Sequence, residues 1–211
     1  MAQNDSKITI IGLTGNSGSG KSLVADICAD HGAYIINADK VNHENMSAGK
    51  PAYTEIIREF GTDILDENGA IDRRKLGDIV FAHKDKLKVL VDITHKHVKE
   101  ETYRRIAQVK GDPGRHKFII VDAPLLIEAS LHHNCDETWI VTADHNTRLQ
   151  RIRQRDQISD LQIEKRFASA TPQSELAKYA NVVIENNYVN LEPLECHVKS
   201  LLLERGLIKR G

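Results

Sequence analysis

Five short runs rich in isoleucine and valine recur along the chain between polar or turn residues: Ile8 to Leu13, Ala33 to Ile36, Phe118 to Val121, Thr138 to Thr142 and Val182 to Ile184. Runs this short and this continuously apolar are expected of parallel strands buried on both faces. The intervening segments carry helical signals. Lys21 to Asp30 reads as a helix, stopped by His31-Gly32 before the second run. From Asp85 to about Lys110, Leu87, Leu90, Val91, Thr94, Val98 and Ile106 mostly keep three- and four-residue spacing, and "GDPG" ends the segment. Ser159-Asp160-Leu161-Gln162 has capping-box spacing, so a helix is expected to start there, and Glu192 to Arg205 reads as the C-terminal helix. Strands separated by helices on this scale predict an α/β domain with a mostly parallel sheet.

Lys40 to Lys110 breaks the alternation, carrying helical or turn signals but no convincing strand. Some 70 residues is too many for an ordinary crossover, so the stretch is expected to be a helical insertion covering one end of the sheet. Such a cover is a natural place for a second substrate.

With 211 residues, 40% hydrophobic and 28% charged, the chain can bury one good core as a single soluble domain. Lys plus Arg (29) nearly balances Asp plus Glu (30), so bulk charge asks for neither nucleic acid nor a membrane surface. No run approaches the roughly 18 apolar residues of a span, and "MAQNDSKITI" lacks a secretory layout, so a cytoplasmic location is expected. Cys28, Cys135 and Cys196 are odd in number and far apart, and are expected to be small buried side chains.

The first run leads directly into Gly15-Asn16-Ser17-Gly18-Ser19-Gly20-Lys21-Ser22, which satisfies G-x-x-x-x-G-K-[ST] between a strand and a helix. Glycines leave room for successive N–H groups to turn inward around phosphate at a helix N-terminus. Lys21 is then expected to reach the β- and γ-phosphates, and Ser22 to meet the Mg²⁺ that bridges them. The motif implies a nucleoside triphosphate.

Three further features bear on the chemistry. Asp122 ends the third run, where it is either a Walker-B-type acid behind Mg²⁺ or a turn residue before Pro124. Asp39 follows the second run at the sheet edge where open α/β sheets bind ligands, either as a base for an attacking hydroxyl or as a helix N-cap. Arg148, Arg151, Arg153 and Arg155 crowd one segment, and Arg151 and Arg155, four apart, share a helix face that can close over phosphates. His95 and His97, two apart, point away from each other and cannot chelate one ion; they and His132-His133 are read as solvated.

Taken together, "IGLTGNSGSGKS", "IINAD", "IDRRKLGDIVF", "DAPLLIE", "RLQRIRQRD" and "YANVVIENN" resemble the dephospho-CoA kinase family in order and spacing over nearly the whole chain. The resemblance implies a three-layer P-loop NTPase fold with five parallel strands, comprising a core (1–39, 111–148 and 171–211), a helical acceptor-binding insertion (40–110) and a short lid (149–170) containing Arg151 and Arg155. It implies transfer from ATP with Mg²⁺ to the ribose 3′-hydroxyl of dephospho-CoA, the last step of coenzyme A synthesis, in a monomer or weak homo-oligomer. Asp39 would be the general base, with Lys21 and Arg151 catalytic. Arg73, Arg74 and His95 would lie in the acceptor region, and Pro124, Leu125 and Glu128 along the substrate cleft. Asn186 and Asn187 would lie near the base, with Arg155 and Asn187 in the ATP site.

The chain departs from the family pattern at Asn37, Asn16-Ser17, Thr94-His95-Lys96, Ala170 and Tyr188. Two rival readings share the core: a kinase of another metabolite or nucleoside, and a nucleotide switch. A guanine-reading switch is expected to carry N-K-x-D after a strand, and "NADK" at Asn37 has the wrong order.

Overall fold

The computed structural model describes residues 8–209. The five apolar runs form strands β1 (Thr9–Thr14), β2 (Ala33–Asn37), β3 (Phe118–Asp122), β4 (Glu137–Thr142) and β5 (Val182–Glu185), in one sheet of order β2-β3-β1-β4-β5. β1 pairs in parallel with both β3 and β4, and β4 with β5. The strand that leads into the glycine-rich loop therefore lies at the centre of the sheet. All of β3 is buried, the apolar Phe118 to Val121 as a strand covered on both faces requires and Asp122 with them.

Alternate residues serve the two faces. Ile11, Leu13, Phe118, Ile120, Trp139 and Val141 join one core cluster with Val24 and Cys28 of helix α1 (Lys21–Asp30) and with Leu194, Val198 and Leu202 of the C-terminal helix (Leu191–Glu204). Ile10, Ile119 and Ile140, one position out of phase, are equally buried. Each such side chain, taken from water, stabilises the fold by roughly 1.5–3 kcal/mol.

The chain divides into two compact units, one formed by the residues up to Ile36 and from Gln108 onward, the other by Asn37–Ala107. The second contains α2 (Ala38–Asn45), α3 (Pro51–Phe60), α4 (Arg73–Ala82) and most of α5 (Lys84–Gly111), with a single antiparallel bridge between Leu65 and Ile71. Ile56, Ile64, Leu76, Val80 and Ile93 form its own core. In the first unit the arginine-rich segment forms α6 (His145–Asp156), and α7 (Asp160–Ser169) follows the capping box, which is realised: Ser159 N donates to Gln162 Oε1 while Gln162 N donates to Ser159 Oγ. A short α8 (Gln173–Leu176) precedes β5, and the C-terminal helix becomes α9.

Two expectations need correction. His97 is 9% exposed, with Nε2 2.7 Å from Glu55 Oε2, and that contact holds the Glu55 carboxyl below its ordinary range. His132 is half-buried, edge-on to Tyr179 and tilted against His133, and its burial lowers its pKa. Among the cysteines, burial pushes the Cys28 and Cys135 thiols up to about 12, but Cys196 on α9 is exposed. One apolar face of α9 suffices for the core, and Cys196 falls off it.

Candidate active site

β1 ends at Thr14 and α1 starts at Lys21, so the loop between them must turn within six residues. Gly18 and Gly20 take left-handed conformations at φ 81° and 89°. A Cβ on Gly20 would lie 2.0 Å from Asn186 Nδ2, and one on Gly18 would lie 2.8 Å from the Arg148 carbonyl oxygen. Only glycine fits either position. Gly20 is also the N-cap of α1 and offers no side chain to its first turn, whose free N–H groups are left for a ligand.

A loop whose N–H groups turn inward must turn carbonyls outward, and the structure shows what receives them. Arg148, 7% exposed, donates through Nε to the Ser17 oxygen at 2.9 Å. Arg151 Nη1 donates to the oxygens of Gly18 (3.2 Å), Ser19 (3.4 Å) and Asn186 (2.9 Å), and its Nη2 to Tyr188 O (3.0 Å). Asn186, buried, donates from Nδ2 to Ser19 O at 2.8 Å. Two guanidinium groups and an amide thus brace the back of the loop and place positive charge behind it. Burial lowers the pKa of both arginines, though neither loses its proton in the neutral range.

On the ligand side, Lys21 Nζ forms an ion pair with Asp122 at the end of β3. Asp122 is 3% exposed, so its carboxylate is held in place for a cation. Ser19 Oγ is buried without a hydrogen-bond partner, a polar atom that a phosphate oxygen would satisfy. Ser22 is exposed on the first turn of α1. The glycine cradle, this orphaned hydroxyl and the Lys21–Asp122 pair together fit a Mg²⁺-triphosphate, with Ser22 and Asp122 as the residues that would hold the ion.

The other expected residues fall into three groups. Asn16 Nδ2 donates to Thr171 O at 2.9 Å, and Thr171 Oγ1 donates to Glu128 Oε1 at 2.5 Å, so the loop, the segment after β3 and the residue after α7 are linked. Pro124 O accepts from Thr14 Oγ1, and Leu125 is half exposed beside it. Arg155 points elsewhere: it pairs with Asp156, which also takes Arg166, tying α6 to α7. Asn187 Oδ1 accepts from Asp144 N at the start of α6.

In the second unit, Asp39 is exposed in the first turn of α2 and is not its cap. Asn37 caps that helix by accepting from Lys40 N at 2.8 Å, which leaves the Asp39 carboxylate free of that duty. Asp39, Asn42, His43 and Arg73 form the polar end of a groove of about 430 Å³, whose other end is Val80, Phe81, Leu87 and Leu90. Arg73 donates to His43 Nδ1, while Arg74 and His95 do not line the groove.

A family model described as dephospho-CoA kinase matches residues 9–191. The chain belongs to the dephospho-CoA kinase family. Relatives of that name include one from Fusobacterium nucleatum subsp. nucleatum, 43% identical over 89% of this chain and 93% of that protein, and one from Geobacter metallireducens, 40% identical over 93% and 96%. The solved dephospho-CoA kinase from Campylobacter jejuni superposes with a TM-score of 0.68 at 25% identity, covering 93% of this chain and 98% of that one. The residue at this site that sequence reasoning left without a role is Arg148. Arg148 lay in view as one of four crowded arginines, but nothing local told it from its solvated neighbours.

Proposed function

We propose that the chain transfers the γ-phosphoryl group of ATP to the ribose 3′-hydroxyl of dephospho-CoA, giving CoA and ADP. The observation that carries this reading is the Lys21–Asp122 pair at the mouth of a glycine cradle, in a chain whose family match spans both units.

The loop Gly15 to Ser22 binds the triphosphate through inward N–H groups, and Ser19 Oγ donates to one of its oxygens. Lys21 exchanges its contact with Asp122 for the β- and γ-phosphates and neutralises charge as the phosphoryl group passes across. Mg²⁺ held by Ser22 and Asp122, when bound, supplies Lewis-acid neutralisation of the same oxygens. Arg151 contributes from behind the loop and Asn187 borders the nucleotide side, while Arg155, committed to Asp156, takes part only if it leaves that pair.

Asp39 accepts the proton of the acceptor hydroxyl, its ordinary role for a carboxylate near a nucleophile. His43 and Arg73 offer donors to the acceptor's phosphates, and the apolar end of the same groove receives its pantetheine arm. Arg74 and His95 in the second unit, and Pro124, Leu125 and Glu128 in the first, are further proposed acceptor-binding residues. We propose a cytoplasmic location and a monomer or weak homo-oligomer.

The test is coupled ADP release with ATP·Mg²⁺, comparing dephospho-CoA with adenosine, uridine and no acceptor, followed by mass spectrometry. Turnover only with dephospho-CoA and a product heavier by one phosphoryl group supports the proposal. Strong turnover only with another acceptor discards this substrate.

A further inference from the structure

Two consecutive residues of the phosphate loop are tied to one helix, α7, and its exit. Ser17 is reached through Arg148, whose guanidinium carbon sits 4.1 Å from the centroid of the Phe167 ring on α7. Asn16 is reached directly, by its bond to the carbonyl of Thr171 just beyond α7. Phe167 is half-buried and also meets His145 edge-on, with ring centroids 5.2 Å apart. His145 in turn contacts Glu164 on α7, Nε2 to Oε1 at 2.9 Å. Arg148, Phe167, His145 and Glu164 thus form one cluster between α6 and α7, and Arg148 carries it to the loop.

We infer that α7 and the phosphate loop are coupled through the Phe167–Arg148–Ser17 stack, which makes Phe167 and Arg148 positioning residues for nucleotide binding. The physical basis is mutual shielding. A ring over a guanidinium attracts it electrostatically and excludes water from one of its faces. An arginine so covered holds its bond to Ser17 O more firmly, because water competes less for the same donor. The Ser17 carbonyl, fixed outward, keeps the neighbouring N–H groups facing the phosphates. Linkage makes the effect reciprocal: a nucleotide that favours the braced loop must favour packed α7 by the same factor. Buried Ile163 and the Asp156–Arg166 and His145–Glu164 pairs still anchor α7 when the ring is removed.

The inference rests on the loop's binding ATP, and the experiment separates the two. Hydrogen exchange of the α7 amides is followed in the full chain with and without ATP, alongside the ATP dissociation constant, for the wild type, Phe167→Ala and Phe167→Tyr. ATP is expected to slow exchange in α7 about five-fold in the wild type and in the tyrosine variant, which keeps the ring, and less than about two-fold in the alanine variant. Equal slowing by ATP in Phe167→Ala, or none in a wild type that binds ATP, overturns the coupling and leaves the function standing. A wild type that does not bind ATP overturns both.

Discussion

The guanidinium of Arg151 on α6 donates to the backbone oxygen of Asn186, 35 residues further along the chain and just past β5, at 2.9 Å. The same group serves Gly18, Ser19 and Tyr188, so a single side chain joins the loop to the end of the edge strand. Lysine has one nitrogen at one point and cannot span these acceptors. Arg151→Lys is expected to weaken ATP binding about ten-fold, equivalent to about one lost charged hydrogen bond, with a larger loss in turnover. Titration calorimetry with ATP checks it, and wild-type affinity would remove Arg151 from the brace.

Gly20→Ala tests the cradle. The new Cβ meets the Asn186 amide, which is itself committed to Ser19, and the backbone is held at a φ that alanine adopts only with strain. A stability loss of about 1–3 kcal/mol is expected in urea unfolding, together with loss of nucleotide binding. Unchanged stability would mean that the loop has another low-energy shape.

Phe81 is 82% exposed at the apolar end of the groove in the second unit, an unusual place to leave an aromatic ring without a partner. Phe81→Ser should leave thermal stability within about 0.5 kcal/mol of wild type, as surface changes do. It should raise the KM for dephospho-CoA about five-fold with kcat little changed, as expected when binding common to ground and transition states is removed. An unchanged KM would take the pantetheine arm out of this groove.

Glu101 on α5 is bonded first by Arg104, at 2.7 and 2.8 Å, and then by Arg105, which together outweigh its desolvation and hold its pKa at about 2. An unfolded glutamate titrates near 4.3. Because the folded value is the lower one, the pair's contribution is complete above about pH 5 and is lost as pH falls through 4.3 towards 2. Glu101→Gln should therefore melt about 2–4 °C below wild type at pH 7. The gap should narrow from pH 4.3 downward and close near pH 2. Melting curves across that range decide it, and a gap independent of pH would assign the loss to packing instead.

The strands were legible because each is a continuous apolar run between turns; β1, expected over Ile8–Leu13, forms over Thr9–Thr14, and the long helix expected from Asp85 to Lys110 forms over Lys84–Gly111. The phosphate loop was legible because its glycines answer to backbone geometry within eight residues. What could not be read is what lies behind that loop. Arg148 meets Ser17 across 131 positions and Asn186 meets Ser19 across 167, and no local spacing encodes such pairs. His97 misled for the same reason: its polarity suggested solvent, but Glu55, 42 positions away on α3, gives it a partner inside. Asn37 was read as a departure from the family's acid, and its use as the cap of α2 became visible only with Lys40 N beside it.

The order of the sheet also sets the order of assembly. β1 stands at its centre, yet Thr9 pairs with Phe118 and Ile11 with Glu137, so this strand, the earliest of the five in sequence, has no neighbour until about 100 further residues have been made. The helical unit, built from contiguous residues with its own core, is complete before then. During synthesis the phosphate-binding strand is thus an unpaired apolar segment waiting behind a module that has a core of its own. Chaperone dependence in vivo should track the fate of β1 rather than that of the helices.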